Sequence, residues 1–115
     1  MADDKLPYDV TSFDVVAEVP NLRVIVMELS AGQDVPWHYH TTITDAFYCL
    51  AGPMVIEYGN QGQSVTLNAG DSHRIPPGMR HRTRGANDGP CRFLIVHGIG
   101  PYDFIPMDEQ QLGNS

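Results

Sequence analysis

The stretch Gly32–Gly52, "GQDVPWHYHTTITDAFYCLAG", decides how this chain is read. His38 and His40 are one residue apart, Asp45 follows five positions after His40, and the apolar run from Ala46 closes on Gly52. On an extended strand, residues two apart face the same side, about 6–7 Å from each other along the chain. Two imidazoles so placed can converge on one ion, and neutral imidazole ligates most divalent transition metals. Ordinary surface strands also carry such pairs, so the surroundings have to decide.

Outward from that stretch the chain reads as strands and turns. "FDVVAEV", "LRVIVMELS", "AFYCLA", "PMVIEY", "SVTLNA", "HRIP", "RHRTRG" and "CRFLIVHG" are short and rich in β-branched or aromatic residues. Segments such as "VPN", "SAGQDVP", "YGNQGQ", "NAGDS", "PPGM" and "GANDGP" separate them with turn chemistry. Apolar residues nowhere recur at helical spacing over three turns. Many short, evenly spaced strands predict an all-β barrel or sandwich, and 115 residues suit a single domain.

Composition narrows the function classes. The apolar share is 42%, enough for one core, and the formal charge is −7 from 14 acidic and 7 basic residues. So acidic a chain, without a Lys/Arg-rich stretch, argues against nucleic acid or an anionic membrane surface as partner. Five of the six arginines fall between Arg74 and Arg92, a grouping that suits a small anionic ligand better than a polymer. The alternative for them is ordinary solvated strand positions. Cys49 and Cys91 sit in apolar runs without CxxC spacing and read as buried free thiols. The N-terminal "MADDKLPYDVTSFD" is not a signal peptide, and no apolar run approaches a membrane span. A soluble cytoplasmic protein is expected.

A second segment, "GDSHRIPPGMRHRTRG", carries Gly70, Pro76, Gly78 and His81 at fixed offsets. Together the two segments resemble the cupin superfamily. Its first motif is G-x5-H-x-H-x3–4-E-x6-G, matched in register by Gly32, His38, His40 and Gly52. Its second is G-x5-P-x-G-x2-H-x3-N, matched by Gly70, Pro76, Gly78 and His81. Asp45 stands where the family most often has Glu, and Gly85 where it has Asn.

The resemblance implies a double-stranded β-helix, a jelly-roll β-barrel, over residues 21–105. Before it would lie an N-terminal segment, 1–20, with an edge strand, and after it a polar tail, 106–115, beyond Phe104 and Ile105. It also implies one divalent transition metal ion held by His38, His40, Asp45 and His81. Fe(II) is favoured; Zn, Mn, Ni and Cu are the alternatives. Asp45 lacks one methylene of the family's Glu. Either the backbone compensates, or the carboxylate stops short of the ion and acts on its bound water or as a catalytic base. Strand alternation turns Phe47, Cys49 and Thr83 inward and turns Trp37, Tyr39 and Tyr48 away. His73 and His97, at strand ends, are candidates for a supporting hydrogen bond.

The resemblance implies a metal-dependent enzyme on a small oxygenated metabolite, foremost an Fe(II) dioxygenase. A non-oxidative isomerase or lyase and a small-ligand binding or sensing module are the alternatives. A small-molecule substrate and a homodimer, paired through a strand within Leu6–Val19, complete the expectations.

Overall fold

The computed structural model describes residues 6–107. It contains ten strands: β1 Ser12–Val19, β2 Leu22–Leu29, β3 Asp34–Tyr39, β4 Thr44–Ala51, β5 Met54–Tyr58, β6 Gln63–Leu67, β7 Ser72–Ile75, β8 His81–Gly85, β9 Cys91–Gly98 and β10 Ile105–Pro106. A 3-10 turn at Ala86–Asp88 is the one helical element among the described residues. All pairings are antiparallel, in two five-stranded sheets ordered β1-β2-β9-β4-β7 and β10-β3-β8-β5-β6. The fold is the all-β double-stranded β-helix.

Alternation builds the core. Ile25, Met27 and Leu29 of β2, Phe47 and Cys49 of β4, and Cys91, Phe93 and Ile95 of β9 bury one face of the first sheet. They meet Val35, Met54, Ile56 and Leu67 of the second. At about 25 cal/mol per Å² of apolar surface, these side chains supply the main drive to fold. None of the five residues of β8 belongs to that hydrophobic set, yet His81 and Thr83 are as buried as the core itself. Polar groups so buried have to find partners.

Two strands lie where turn chemistry is read from the sequence, or where no strand is read at all. "DVP" belongs to β3, because Pro36 sits where the β3–β8 register breaks between Val35 and His38. An irregular position has no need of the ladder N–H that proline lacks. The break lets Val35 and His38 both be buried although they are three residues apart. The two-residue β10 pairs Ile105 with Tyr39 and Pro106 with His38, laying the C-terminal segment beside the first motif. β1 pairs with β2 of its own chain and lies at the sheet edge, with Val15, Val16 and Val19 exposed.

Gly85 has a steric reason. A Cβ there would stand 1.8 Å from the Gly89 carbonyl oxygen, so the Ala86–Asp88 turn closes only over a glycine. The family's asparagine does not fit this turn.

Candidate metal centre

β3 delivers His38, and His40 follows just past its end. β4 delivers Asp45 and β8 delivers His81. Motif one reaches motif two through the Gly78 N–H, which donates to the His40 carbonyl at 2.7 Å. Gly78 has φ +82, a turn conformation that a side chain would strain. The result brings one donor atom from each of His38, His40, Asp45 and His81 within 4.8 Å of all the others, every residue buried. This group could hold a metal ion.

The ring orientations are set by backbone carbonyls. His38 Nδ1–H donates to Pro36 O at 2.7 Å, His81 Nδ1–H to Met79 O at 3.0 Å, and His40 Nδ1–H to Asp103 O. A carbonyl only accepts, so each Nδ1 carries the proton and each neutral ring presents the Nε2 lone pair. Carbonyl bonds of this kind hold ligating histidines in position.

Asp45 makes the charge requirement explicit. Its Oδ2 lies 3.0 Å from His40 Nε2 and 2.8 Å from His81 Nε2. Neutral rings in this tautomer would set lone pair against lone pair. Stability therefore needs positive charge between them, either protons on the rings or one shared cation. Burial pushes the Asp45 carboxyl up, but the hydrogen bonds with His40 and His81 overcome it and hold the group well below the usual carboxylate range. Burial pulls His40 down, and the Asp45 bond and charge more than reverse it, so its pKa is raised. His38, pulled down first by burial and then by its histidine neighbours, is lowered to about 3 and stays neutral. Adjacent donors at about 2.1 Å from one ion stand about 3–3.5 Å apart, near the two Asp45 separations of 3.0 and 2.8 Å. The aspartate, though a methylene short of glutamate, reaches its histidines.

His97 plays a different part. Arg23 Nε–H and Nη2–H approach His97 Nδ1 at 3.4 and 3.3 Å. Guanidinium only donates, so His97 carries its proton on Nε2, 3.2 Å from Asp45 Oδ1. That is the opposite tautomer from the other three rings. Burial leads in lowering His97 to about 4; Asp45 works against this and the Arg23 charge adds to it. His97 is thus a neutral buttress for Asp45. His73 lies elsewhere, with its ring 5.2 Å from that of Tyr58.

A cavity of about 10 Å³, room for one water-sized body, adjoins the group. Phe47 and Thr83 line it. Cys49, inward as alternation requires, is buried in the core against Gly52 and does not reach the cavity wall. Asp45 Oδ1 and Thr83 Oγ1 are buried without a hydrogen-bond partner among the described residues, which suits a site awaiting a polar occupant. Trp37, Tyr39 and Tyr48 stay off the cavity wall. In the arginine group, Arg82 pairs with Asp34 and Glu57, and Arg84 with Glu57; neither lines the cavity.

Tyr8, Tyr102 and Arg23 escape notice in the sequence, and Phe104 is read there only as the end of the barrel, not as part of the site. Phe104 stacks on His38 at 4.3 Å and 18°, and Tyr102 lies 4.8 Å from His97, ring to ring. The aromatics fall in segments with no strand pattern, so only chain folding reveals them. Arg23 did leave a trace: it is in alternating phase with Ile25, Met27 and Leu29, an arginine on an inward face.

The model of the family "Cupin domain" matches residues 25–97. The chain belongs to the cupin family. This cupin is 36% identical over 61 residues to Quercetin 2,3-dioxygenase of Bacillus subtilis, a stretch covering 53% of this chain and 18% of that protein. It spans less than half the length of the curated relatives it matches. Among solved structures, a double-stranded β-helix domain protein of Klebsiella pneumoniae is similar with TM-score 0.68 and 26% identity, over 84% of both chains. Oxalate decarboxylase of Bacillus subtilis shares the fold at TM-score 0.66 and 19% identity, over 76% of this chain and 24% of that one.

Proposed function

We propose that this cupin is a metal-dependent enzyme acting on a small oxygenated metabolite, foremost as an Fe(II) dioxygenase. The observation that carries the reading is the set of three Nε2 lone pairs, each fixed by a carbonyl on Nδ1, converging with the Asp45 carboxylate. The partial identity to a dioxygenase supports the oxidative form. A divalent ion held by His38, His40, Asp45 and His81 would supply Lewis acidity and, as Fe(II), a place where O2 and substrate meet.

The chain's own residues do the rest. The three carbonyl-bonded histidines keep their lone pairs aimed without rearrangement. His97 Nε2 stands 3.2 Å from Asp45 Oδ1, the oxygen that His40 and His81 leave without a hydrogen bond. Tyr8, Phe104 and Tyr102 cover the cavity and exclude water. A cavity of about 10 Å³ admits no metabolite as it stands, so this aromatic cover has to shift for substrate to enter.

One observation favours a non-oxidative isomerase or lyase: Asp45 Oδ1 has no hydrogen-bond partner among the described residues and could accept a substrate proton. We also read the protein as cytoplasmic and homodimeric through β1; no helix among the described residues is long and apolar enough to cross a membrane.

The test is metal analysis of protein purified without chelator or nickel resin, followed by oxygen-electrode assays on small oxygenated metabolites. The dioxygenase reading expects stoichiometric iron and substrate-dependent O2 uptake. Turnover undiminished under anaerobiosis transfers the assignment to the non-oxidative reading. Saturable binding with every ligand recovered unchanged makes the protein a binding module.

A further inference from the structure

A second cavity, of about 370 Å³, opens on the surface beside the metal group. It shares His97 and Tyr102 with the inner cavity, so those two side chains form the wall between them. Its size falls within the range of small-molecule sites. Val19, Pro20 and Leu22 give it an apolar side, with Val19 58% and Leu22 37% exposed.

The polar side is Arg23. In register across the sheet, Glu18, Arg23, His97 and Asp45 lie side by side on β1, β2, β9 and β4. Arg23 is half-buried, and its guanidinium lies over the rings of Tyr102, at 4.4 Å, and Phe13, at 5.5 Å. Those rings restrict its plane, so little ordering remains to be done when a ligand docks. Among the described residues no carboxylate stands within ion-pair distance of Arg23, its register neighbour Glu18 included, whereas Arg82 and Arg84 both have acidic partners. Its hydrogen-bond acceptor is a neutral imidazole nitrogen. Two N–H groups serve that nitrogen, and the others of the five-donor fork remain for a ligand. In a chain of net charge −7, a half-buried cation of this kind is a ready anion site.

We propose that this cavity binds a small organic monocarboxylate, its carboxylate on Arg23 and its apolar body against Val19, Pro20 and Leu22. The guanidinium supplies one positive charge, which matches a single carboxylate, and Glu18 on the wall opposes any second negative charge, so a phosphate dianion would need a second cation. The ligand then sits one imidazole from the metal group, because Arg23 bonds one nitrogen of His97 and Asp45 lies 3.2 Å from the other. That the ligand is the substrate of the metal centre rests on the enzyme reading above; the binding itself does not.

The test titrates benzoate, butyrate and inorganic phosphate into the full chain, with metal removed by EDTA, and follows the Arg23, His97 and Tyr102 resonances by NMR. Benzoate or butyrate should bind saturably, phosphate at least about tenfold more weakly, and Arg23→Gln should weaken carboxylate binding by about tenfold or more. Val19→Trp, at an exposed wall position, should abolish binding with Arg23 intact. No carboxylate binding, undiminished binding in folded Arg23→Gln or Val19→Trp, or equal affinity for phosphate overturns the site. The same titration on Co(II)-loaded protein separates the two readings. A carboxylate-dependent change in the Co(II) absorption bands ties the pocket to the metal centre; binding without that change leaves the site standing and removes its role as substrate anchor.

Discussion

His97 Nε2 stands 3.2 Å from Asp45 Oδ1 while Arg23 occupies the other nitrogen of the same ring. The motif's carboxylate is therefore hydrogen-bonded by His40 and His81 on one oxygen and flanked, without a hydrogen bond, by His97 at the other. Groups that orient a metal ligand carry about 10–100-fold of affinity. His97→Ala is expected to weaken Co(II) or Zn(II) binding by about tenfold or more in competition titrations with a chromophoric chelator. His73→Ala, on a histidine away from the site, should leave affinity unchanged, and equal losses in both variants would argue for a general structural effect.

Asp45 and His81 differ in what they leave behind. His81→Ala removes a fixed lone pair and is expected to lower metal occupancy more than about 100-fold. Asp45→Asn keeps the shape but discards the charge between His40 and His81; a loss of about tenfold or more is expected. Metal content by plasma mass spectrometry decides the matter. Full occupancy in Asp45→Asn would move the carboxylate out of the coordination sphere.

The pH response of the metal-free chain follows from three histidines. Below the ordinary histidine value of 6.5, the unfolded chain takes protons that native His38 and His97 refuse until about 3 and about 4. The unfolded state binds more protons there, so stability falls as pH drops from 6.5, by about 1.4 kcal/mol per unit for each group. His40 has the opposite sign. Its pKa is raised, so its contribution is fully present below 6.5 and is lost as pH rises through the raised value. Asp45, depressed, keeps its contribution above 3.8 and throughout this range. The melting temperature of EDTA-treated protein is expected to peak near neutrality and decline on both sides. Metal should lift the alkaline side, where the cation replaces the His40 proton. A melting temperature that climbs steadily into the alkaline range without metal would contradict the assignment.

Restoring the family's residue at position 85 should harm this chain. Gly85→Asn places a Cβ against the Gly89 carbonyl oxygen, so the Ala86–Asp88 turn must open. A cost of about 2 kcal/mol or more is expected, seen as a drop of about 5 °C or more in melting temperature. Equal stability would mean the turn adapts.

The edge strand offers a test of association. Val16 is 56% exposed on β1, at an open sheet edge. A dimer by light scattering at micromolar concentration is expected, with Val16→Lys shifting it towards monomer while leaving the melting curve of dilute protein unchanged. Monomeric wild type would end the idea.

How much of this was legible beforehand depended on whether the signal is local. Period-two alternation and turn residues are local, and they revealed most of the strands, the all-β class and the inward direction of Asp45, Phe47 and Thr83. The two motif spacings singled out His38, His40, Asp45 and His81 for the same reason: Gly32 and Gly52 bracket β3 and β4, and His81 opens β8 three residues after Gly78. Tertiary structure decided what crosses between distant strands. That Arg23, His97 and Asp45 share one row is a matter of β2–β9–β4 register, which no window of sequence contains. The Asp103 carbonyl on His40 and the Phe104 ring on His38 likewise depend on a C-terminal segment folding back more than sixty residues along the chain. Side-chain type and spacing state which groups are available to bind. For His38 and His81 a carbonyl two residues back fixes the protonated nitrogen. For His40 and His97 long-range pairing decides it, and so which of those two faces a metal.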